Sequence, residues 1–184
     1  MAARPPGFAS PVKGLRALTF GLTLLMAGQE GAFATIPSSF RPWVVTAPAH
    51  PSERVFDLGP AMAEARRLNK PALVYFGAAD CPPCNAYTQF LTENASAMAP
   101  LFASVVLVDI RTLLRDSRAP IFQFNGLRHT PLEFQTRIGD VPRGLHYPSF
   151  WLLSPQGIML KQLDPGLPEA LLTVAGHAQL LARP

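Results

Sequence analysis

The stretch PALVYFGAADCPPCNAYTQFL, residues 71–91, constrains the fold of this 184-residue chain more than any other. ALVYFG (72–77) is a continuous apolar run of strand length, β-branched and aromatic, bounded by Pro71 and Gly77, and it reads as a buried strand. CNAYTQFLTE (84–93) carries its apolar residues at helical spacing and turns Tyr87, Phe90 and Leu91 inward. Between the two lie Cys81 and Cys84, the only cysteines in the chain, separated by Pro82 and Pro83. Strand, Cys-x-x-Cys and helix follow one another directly, which is far more specific than the cysteine spacing alone.

The remaining segments extend this pattern. A helix is predicted from Gly59 to Asn69, with Asp57 as its N-terminal cap and a mixed face of Met62, Ala65, Arg66 and Leu68. Lys70-Pro71 ends it. A further helical stretch, 95–102, is interrupted by Pro100, and VVLVDI (105–110) repeats the buried-strand pattern. SFWLLS (149–154) and IMLKQL (158–163), joined by PQG, predict a hairpin. A closing helix over 168–182 lines up Leu171, Val174, Ala178 and Leu181, with Leu167 just before it. Two strand–helix–strand units imply a parallel pair, and the hairpin adds antiparallel strands. The expected class is α/β, a mixed central sheet flanked by helices.

Two segments are less regular. Residues 35–54 hold four prolines and no period, and are expected as an extended lead-in resting on the domain through Phe40 and Trp43. Residues 111–146 contain Arg111, Arg115, Arg118, Arg128, Arg137 and Arg143, with His129 and His146, and few strong structural signals. A bare connection of that length is uncommon in a compact domain, so 111–145 is expected as an inserted helix or lid.

Residues 1–34 read as a secretory signal. Arg4, Lys13 and Arg16 precede the uncharged apolar stretch ALTFGLTLLMAG (17–28), and AFA (32–34) offers a small-x-small cleavage pattern. The apolar stretch is shorter than the roughly 20 residues of a spanning helix. An uncleaved anchor is the alternative. The expected location is periplasmic or otherwise secreted, where disulfides form and persist. With 48% hydrophobic and 15% charged residues the composition is core-forming. Past residue 34 the charge is 13 basic against 11 acidic residues, with no basic run, so no nucleic-acid partner is expected.

The spacing of Cys81 and Cys84 serves several chemistries. Zinc requires four ligands, and His50, His129, His146 and His177 are too scattered to complete a set, so no metal is expected. Covalent haem attachment requires His directly after the second cysteine, where Asn85 stands. A purely structural disulfide would close a very small loop and remove little unfolded-chain entropy. Hydrolysis through Cys81 with His129 or His146 is disfavoured, because Cys84 would trap the nucleophile as a disulfide. Thiol–disulfide exchange fits best, with no bound cofactor. A helix N-terminus stabilises a thiolate, Cys81 at the mouth of the loop attacks, and Cys84, one turn deeper, resolves the mixed disulfide. Pro82 and Pro83 are tolerated in the first helical turn, stiffen the loop and remove two amide donors.

Residues 71–91 resemble the active-site segment of the thioredoxin superfamily, and HYPSFWLLSPQGIML (146–160) resembles its later segment. The resemblance covers about 55–182, apart from 111–145. It implies a thioredoxin-like fold for 55–184, with the insertion placed before the strand that starts at the family's proline. It also implies a cis peptide bond at Tyr147–Pro148 opposite the cysteines, both residues lining a substrate groove. Residues read beside the pair as tuning elements are Asp80, Pro82, Pro83 and His146. Two departures stand out: Asp80 replaces the family's usual Trp, and Tyr75 replaces its buried Asp. Asp80 is expected to oppose thiolate formation if its charge lies close. Glu93, Asp109 and Glu133 are alternative proton acceptors. The activity implied is disulfide exchange on exported cysteine-containing proteins, weighted towards reduction, with a redox donor or acceptor that is soluble or membrane-bound. The competing expectation is a redox-inert binding or chaperone module that presents its arginines and IFQFNGL (121–127) to a partner.

Overall fold

The computed structural model describes residues 35–163, 166 and 168–182, with the isolated Met1 and Ala3. The expected signal segment and Leu167 lie outside the described residues. Among the described residues, eight strands and five α-helices run in chain order: β1 (Trp43–Thr46), β2 (Glu53–Asp57), α1 (Gly59–Leu68), β3 (Ala72–Ala78), α2 (Pro82–Glu93), α3 (Ala95–Phe102), β4 (Val106–Thr112), β5 (Ala119–Phe124), β6 (Leu127–His129), α4 (Pro131–Ile138), β7 (Ser149–Leu153), β8 (Met159–Lys161) and α5 (Val174–Leu181). The central sheet has the order β1-β4-β3-β7-β8, and a second sheet has the order β2-β5-β6. Strands β1, β4 and β3 are parallel, and β7 and β8 are antiparallel to their neighbours. The class is thus α/β, with mixed sheets flanked by helices.

Alternation along β3 explains the layering. Ala72, Val74 and Phe76 join α1, β5 and α4 in one core cluster that includes Phe56, Phe122, Phe134 and Trp151. Leu73 and Tyr75 face the other side, with Tyr87 and Leu91 of α2, Met98 and Phe102 of α3, and Leu180 of α5. Every residue of β3 is buried, as its unbroken apolar run requires.

The structure departs from the sequence-based expectation at several places. Asp57 does not cap α1 as its N-cap residue. That position is Leu58, and the Asp57 carboxylate accepts from the Gly59 amide at 2.8 Å. The lead-in contains β1 and the first two residues of β2. Its β-branched Val44-Val45 pair lies in β1, aligned with Asp109 and Ile110 of β4. Phe40 packs edge-on against Phe102 at 5.0 Å, whereas Trp43 is 39% exposed at the start of β1. The closing helix is split. A short 3-10 turn (Glu169–Leu172) precedes α5, which starts where the Thr173 side chain accepts from the Gly176 amide.

Residues 111–145 contain the end of β4, a hairpin and a capped helix. Asn125 and Gly126 both adopt positive φ, the geometry of a two-residue turn joining antiparallel β5 and β6. Thr130 and Glu133 form a reciprocal capping box at the start of α4. Phe122 and Phe124 are buried at 0% and 1%, so IFQFNGL does not display its aromatic residues to a partner.

One buried histidine sets a pH dependence. His177 is fully buried. Its Nδ1 is 3.0 Å from the Thr173 carbonyl oxygen and its Nε2 3.0 Å from the Tyr87 hydroxyl. Since a carbonyl can only accept, Nδ1 carries the proton and Nε2 accepts from Tyr87. Burial holds His177 below its usual 6.5. The folded state therefore takes up fewer protons than the unfolded chain, so stability is full above about 6.5 and falls as pH drops towards the depressed folded value. Urea midpoints are expected to be lower at pH 5.5 than at pH 7.5. This His177 contribution to the slope is lost in His177→Gln.

Candidate functional site

Cys81 and Cys84 form a disulfide with their Cα atoms 5.2 Å apart. β3 ends at Ala78, and three residues later Cys81 serves as the N-cap of α2 in extended conformation. Pro82 and Pro83 occupy the next two positions, where a missing N–H breaks no helical bond. As a result, the first helical amide available to the sulfur is that of Cys84, which donates to Cys81 Sγ at 3.2 Å. The Asn85 amide donates to the Cys81 carbonyl at 3.0 Å. One amide and the helix terminus thus provide positive potential at the first sulfur.

Cys81 was expected at the mouth of the loop. In this disulfide form its exposure is 1%, and that of Cys84 is 0%. Pro82 and Pro83 are exposed. The cover is Tyr147, which packs against the cluster of Ala78, Cys81 and Cys84 and lies 5.0 Å from the Phe76 ring. The Tyr147–Pro148 bond is cis, and Pro148 is buried before β7. Exchange rates depend on access to the attacked sulfur. Tyr147→Ala is therefore expected to speed reduction of the Cys81–Cys84 bond by dithiothreitol several-fold, as followed by thiol release under pseudo-first-order conditions.

Asp80 is exposed, but its carboxylate is not idle. It accepts from the Leu114 amide at 2.6 Å and the Arg115 amide at 3.1 Å, and these bonds hold its pKa below the usual carboxylate value. It ties the cysteine loop to the chain leaving β4. The Ala79 amide makes a parallel link to the Thr112 carbonyl at 3.0 Å. His146 is exposed, and its carbonyl accepts from the Ser149 hydroxyl at 2.6 Å. His129 sits in β6 opposite Phe122, at the edge of the second sheet.

The three alternative proton acceptors separate clearly. Glu93 accepts from the Gln89 amide group, and Glu133 is spent on capping α4. Asp109 is fully buried, in register opposite Tyr75, with its carboxyl raised by burial and partly pulled back by Arg111. One of its oxygens accepts from the Ile36 amide and Arg111 Nε. The other, like the Tyr75 hydroxyl, has no hydrogen-bond partner among the described residues. A single acid inside the apolar run VVLVDI was the available signal for this site. Gly77 belongs to the same region: a Cβ there would fall on the Tyr75 ring.

Sequence reasoning missed Arg54. Its side chain is 7% exposed and donates to the Arg118 carbonyl at 2.9 Å, to Thr112 Oγ1 at 2.5 Å and to the Leu113 carbonyl at 3.1 Å. It fastens β2 to the segment that Asp80 also holds. An arginine within a short strand pattern (ERVFD) gave no local sign of burial. Among the described residues, no helix is long and apolar enough to cross a membrane. No family model, curated protein or solved structure matches the chain.

Proposed function

We propose that the protein is an exported thiol–disulfide oxidoreductase with a thioredoxin-like fold. The observation that carries this reading is the position of the pair, with Cys81 at the N-cap of a helix directly after a buried strand and its sulfur receiving the Cys84 amide. The strand order, with two parallel neighbours and an antiparallel hairpin, supports it.

In the reducing direction, the Cys81 thiolate attacks a substrate disulfide. The Cys81–substrate S–S bond forms and the substrate S–S bond breaks. The leaving thiolate takes a proton. The Cys84 thiolate then attacks Cys81 Sγ, releasing the second substrate thiol and closing the Cys81–Cys84 bond. Two electrons and two protons pass from the protein dithiol to the substrate, and a dithiol donor must restore the reduced form. Substrates are exported cysteine-containing proteins. The packing of Tyr147 against the cysteine cluster supports Tyr147, with Pro148 next to it in the chain, as the lining of the substrate groove.

The test is turnover of insulin disulfides by the reduced protein, together with equilibration against glutathione buffers. A strongly reducing potential supports the reductase direction, and an oxidising one reverses it. The burial of Cys81 favours the competing reading of a redox-inert binding module. Lack of exchange with insulin and with glutathione disulfide would establish that reading instead.

A further inference from the structure

A pocket of about 350 Å³ opens between the two sheets, lined by Thr46, Phe56, Arg54, Arg111, Arg118 and Asp116 among others. Its charge is unbalanced. Asp116 is the lone acid of the lining, and its carboxylate is already engaged by Arg118 at 2.6 Å and approached by Arg54 at 3.9 Å. Arg54 and Arg118 are also held by backbone carbonyls. Arg111 differs from both. Among the described residues only its Nε is engaged, by Asp109 at 2.8 Å, and its side chain is 35% exposed. Both terminal nitrogens of its planar fork are therefore available to a ligand. The buried Phe56 and Leu113 add apolar residues to the lining.

The pocket adjoins the cysteine site. Leu113 lines it, and Leu114, the next residue, donates its amide to Asp80 beside Cys81. Burial raises the Tyr147 phenol and the nearby Arg54 charge pulls it only partly back, and Tyr147 packs against the cysteine cluster. Tyr147 thus links the cysteine cluster to Arg54 of the pocket lining.

We propose that this pocket binds a carboxylate side chain of the substrate, adjacent to the disulfide under attack, with the Arg111 guanidinium as its bidentate partner. This deepens the exchange reading and rests on it for the identity of the substrate. A net positive pocket selects an anion, and the planar fork matches a carboxylate. The protein therefore prefers disulfides flanked by Glu or Asp.

The test uses synthetic disulfide-linked peptides that are identical except for Glu, Gln or Lys next to the half-cystine. The reduced protein is expected to react with the Glu peptide about tenfold faster than with the Gln peptide, as one charge-assisted pair implies, and slowest with the Lys peptide. The preference should shrink at high ionic strength. Two variants localise it. Arg111→Gln removes the fork, and Thr46→Glu places a competing carboxylate on an exposed position of β1 aligned with Arg111, without touching Asp109. Both should bring the Glu-to-Gln ratio within about twofold, the scale of a screened surface pair.

A second arm measures fluorescence anisotropy of labelled, cysteine-free Glu and Gln peptides with the oxidised protein. It reads the pocket even if no exchange occurs. Loss of all exchange with retained Glu-selective binding in this arm overturns the enzyme reading and keeps the pocket. Equal rates and equal binding for Glu and Gln peptides, or a preference that survives Thr46→Glu, overturns the pocket.

Discussion

Cys81→Ser is expected to bring insulin-disulfide turnover to the uncatalysed background, while Cys84→Ser traps substrate as a mixed disulfide without turning over. The asymmetry follows from position. Cys81 Sγ receives the Cys84 amide at the helix N-terminus, so it gains the thiolate stabilisation. Cys84 lies within the first turn of α2, and since both sulfurs are buried in the disulfide form, the N-cap position and not exposure distinguishes Cys81. Hydroxyl oxygen does not exchange with disulfides, so replacing either sulfur removes a bond-forming step. Two readouts separate this chemistry from damage to the fold. The far-ultraviolet circular dichroism of both variants should match that of the parent protein, and the Cys84→Ser adduct should release its substrate on adding dithiothreitol. Full pathway activity in Cys81→Ser would sink the enzyme reading. A reversed trapping pattern, with adducts on Cys81→Ser, would instead reassign the attacking thiol to Cys84.

The parts of the fold that could be read from sequence were those with uniform burial. β3 and β7 are buried along their whole length, so unbroken apolar runs marked them to within a residue or two. α2 was visible because Tyr87 and Leu91 recur at helical spacing on its buried face. The short, mixed strands were not. β2 alternates buried positions with half-buried or exposed ones over five residues, and β6 has three residues, none buried. Asn125-Gly126 was a readable hairpin signal, flanked by IFQF and LRH, but its partner strand β2 lies more than 60 residues earlier in the chain. Parallel pairing over that separation leaves no local trace. At the site, the cysteines and Tyr147–Pro148 could be picked out as motifs. The carboxylate of Asp80 is directed at amides 34 and 35 residues away, and Arg54 reaches Thr112, 58 residues away. Contacts of this kind are decided by tertiary placement, not by neighbouring residues.

Phe122→Ala is expected to destabilise the protein by about 3–5 kcal/mol, the range for removing a buried aromatic side chain. Phe122 is fully buried, and its ring lies 4.6 Å from that of Phe134, 5.5 Å from Phe76, 5.9 Å from Trp151 and 6.0 Å from Phe56. Those neighbours come from α4, β3, β7 and β2, so one side chain joins the second sheet to the strand that precedes the cysteines. Trp151 is fixed independently, since its indole N–H donates to Asp140 at 2.9 Å, so it cannot readily move to fill the cavity. Urea unfolding followed by tryptophan fluorescence and by circular dichroism should show one coincident transition, shifted to lower urea without a change in slope. Phe122→Leu retains most of the volume and should cost clearly less. An element merely appended to the domain would behave differently. Its transition would separate from that of the central sheet, and the loss on Phe122→Ala would stay below about 1 kcal/mol, as for a surface substitution. A single transition with the full loss makes residues 119–138 part of the same cooperative core as β3, the strand that leads into Cys81.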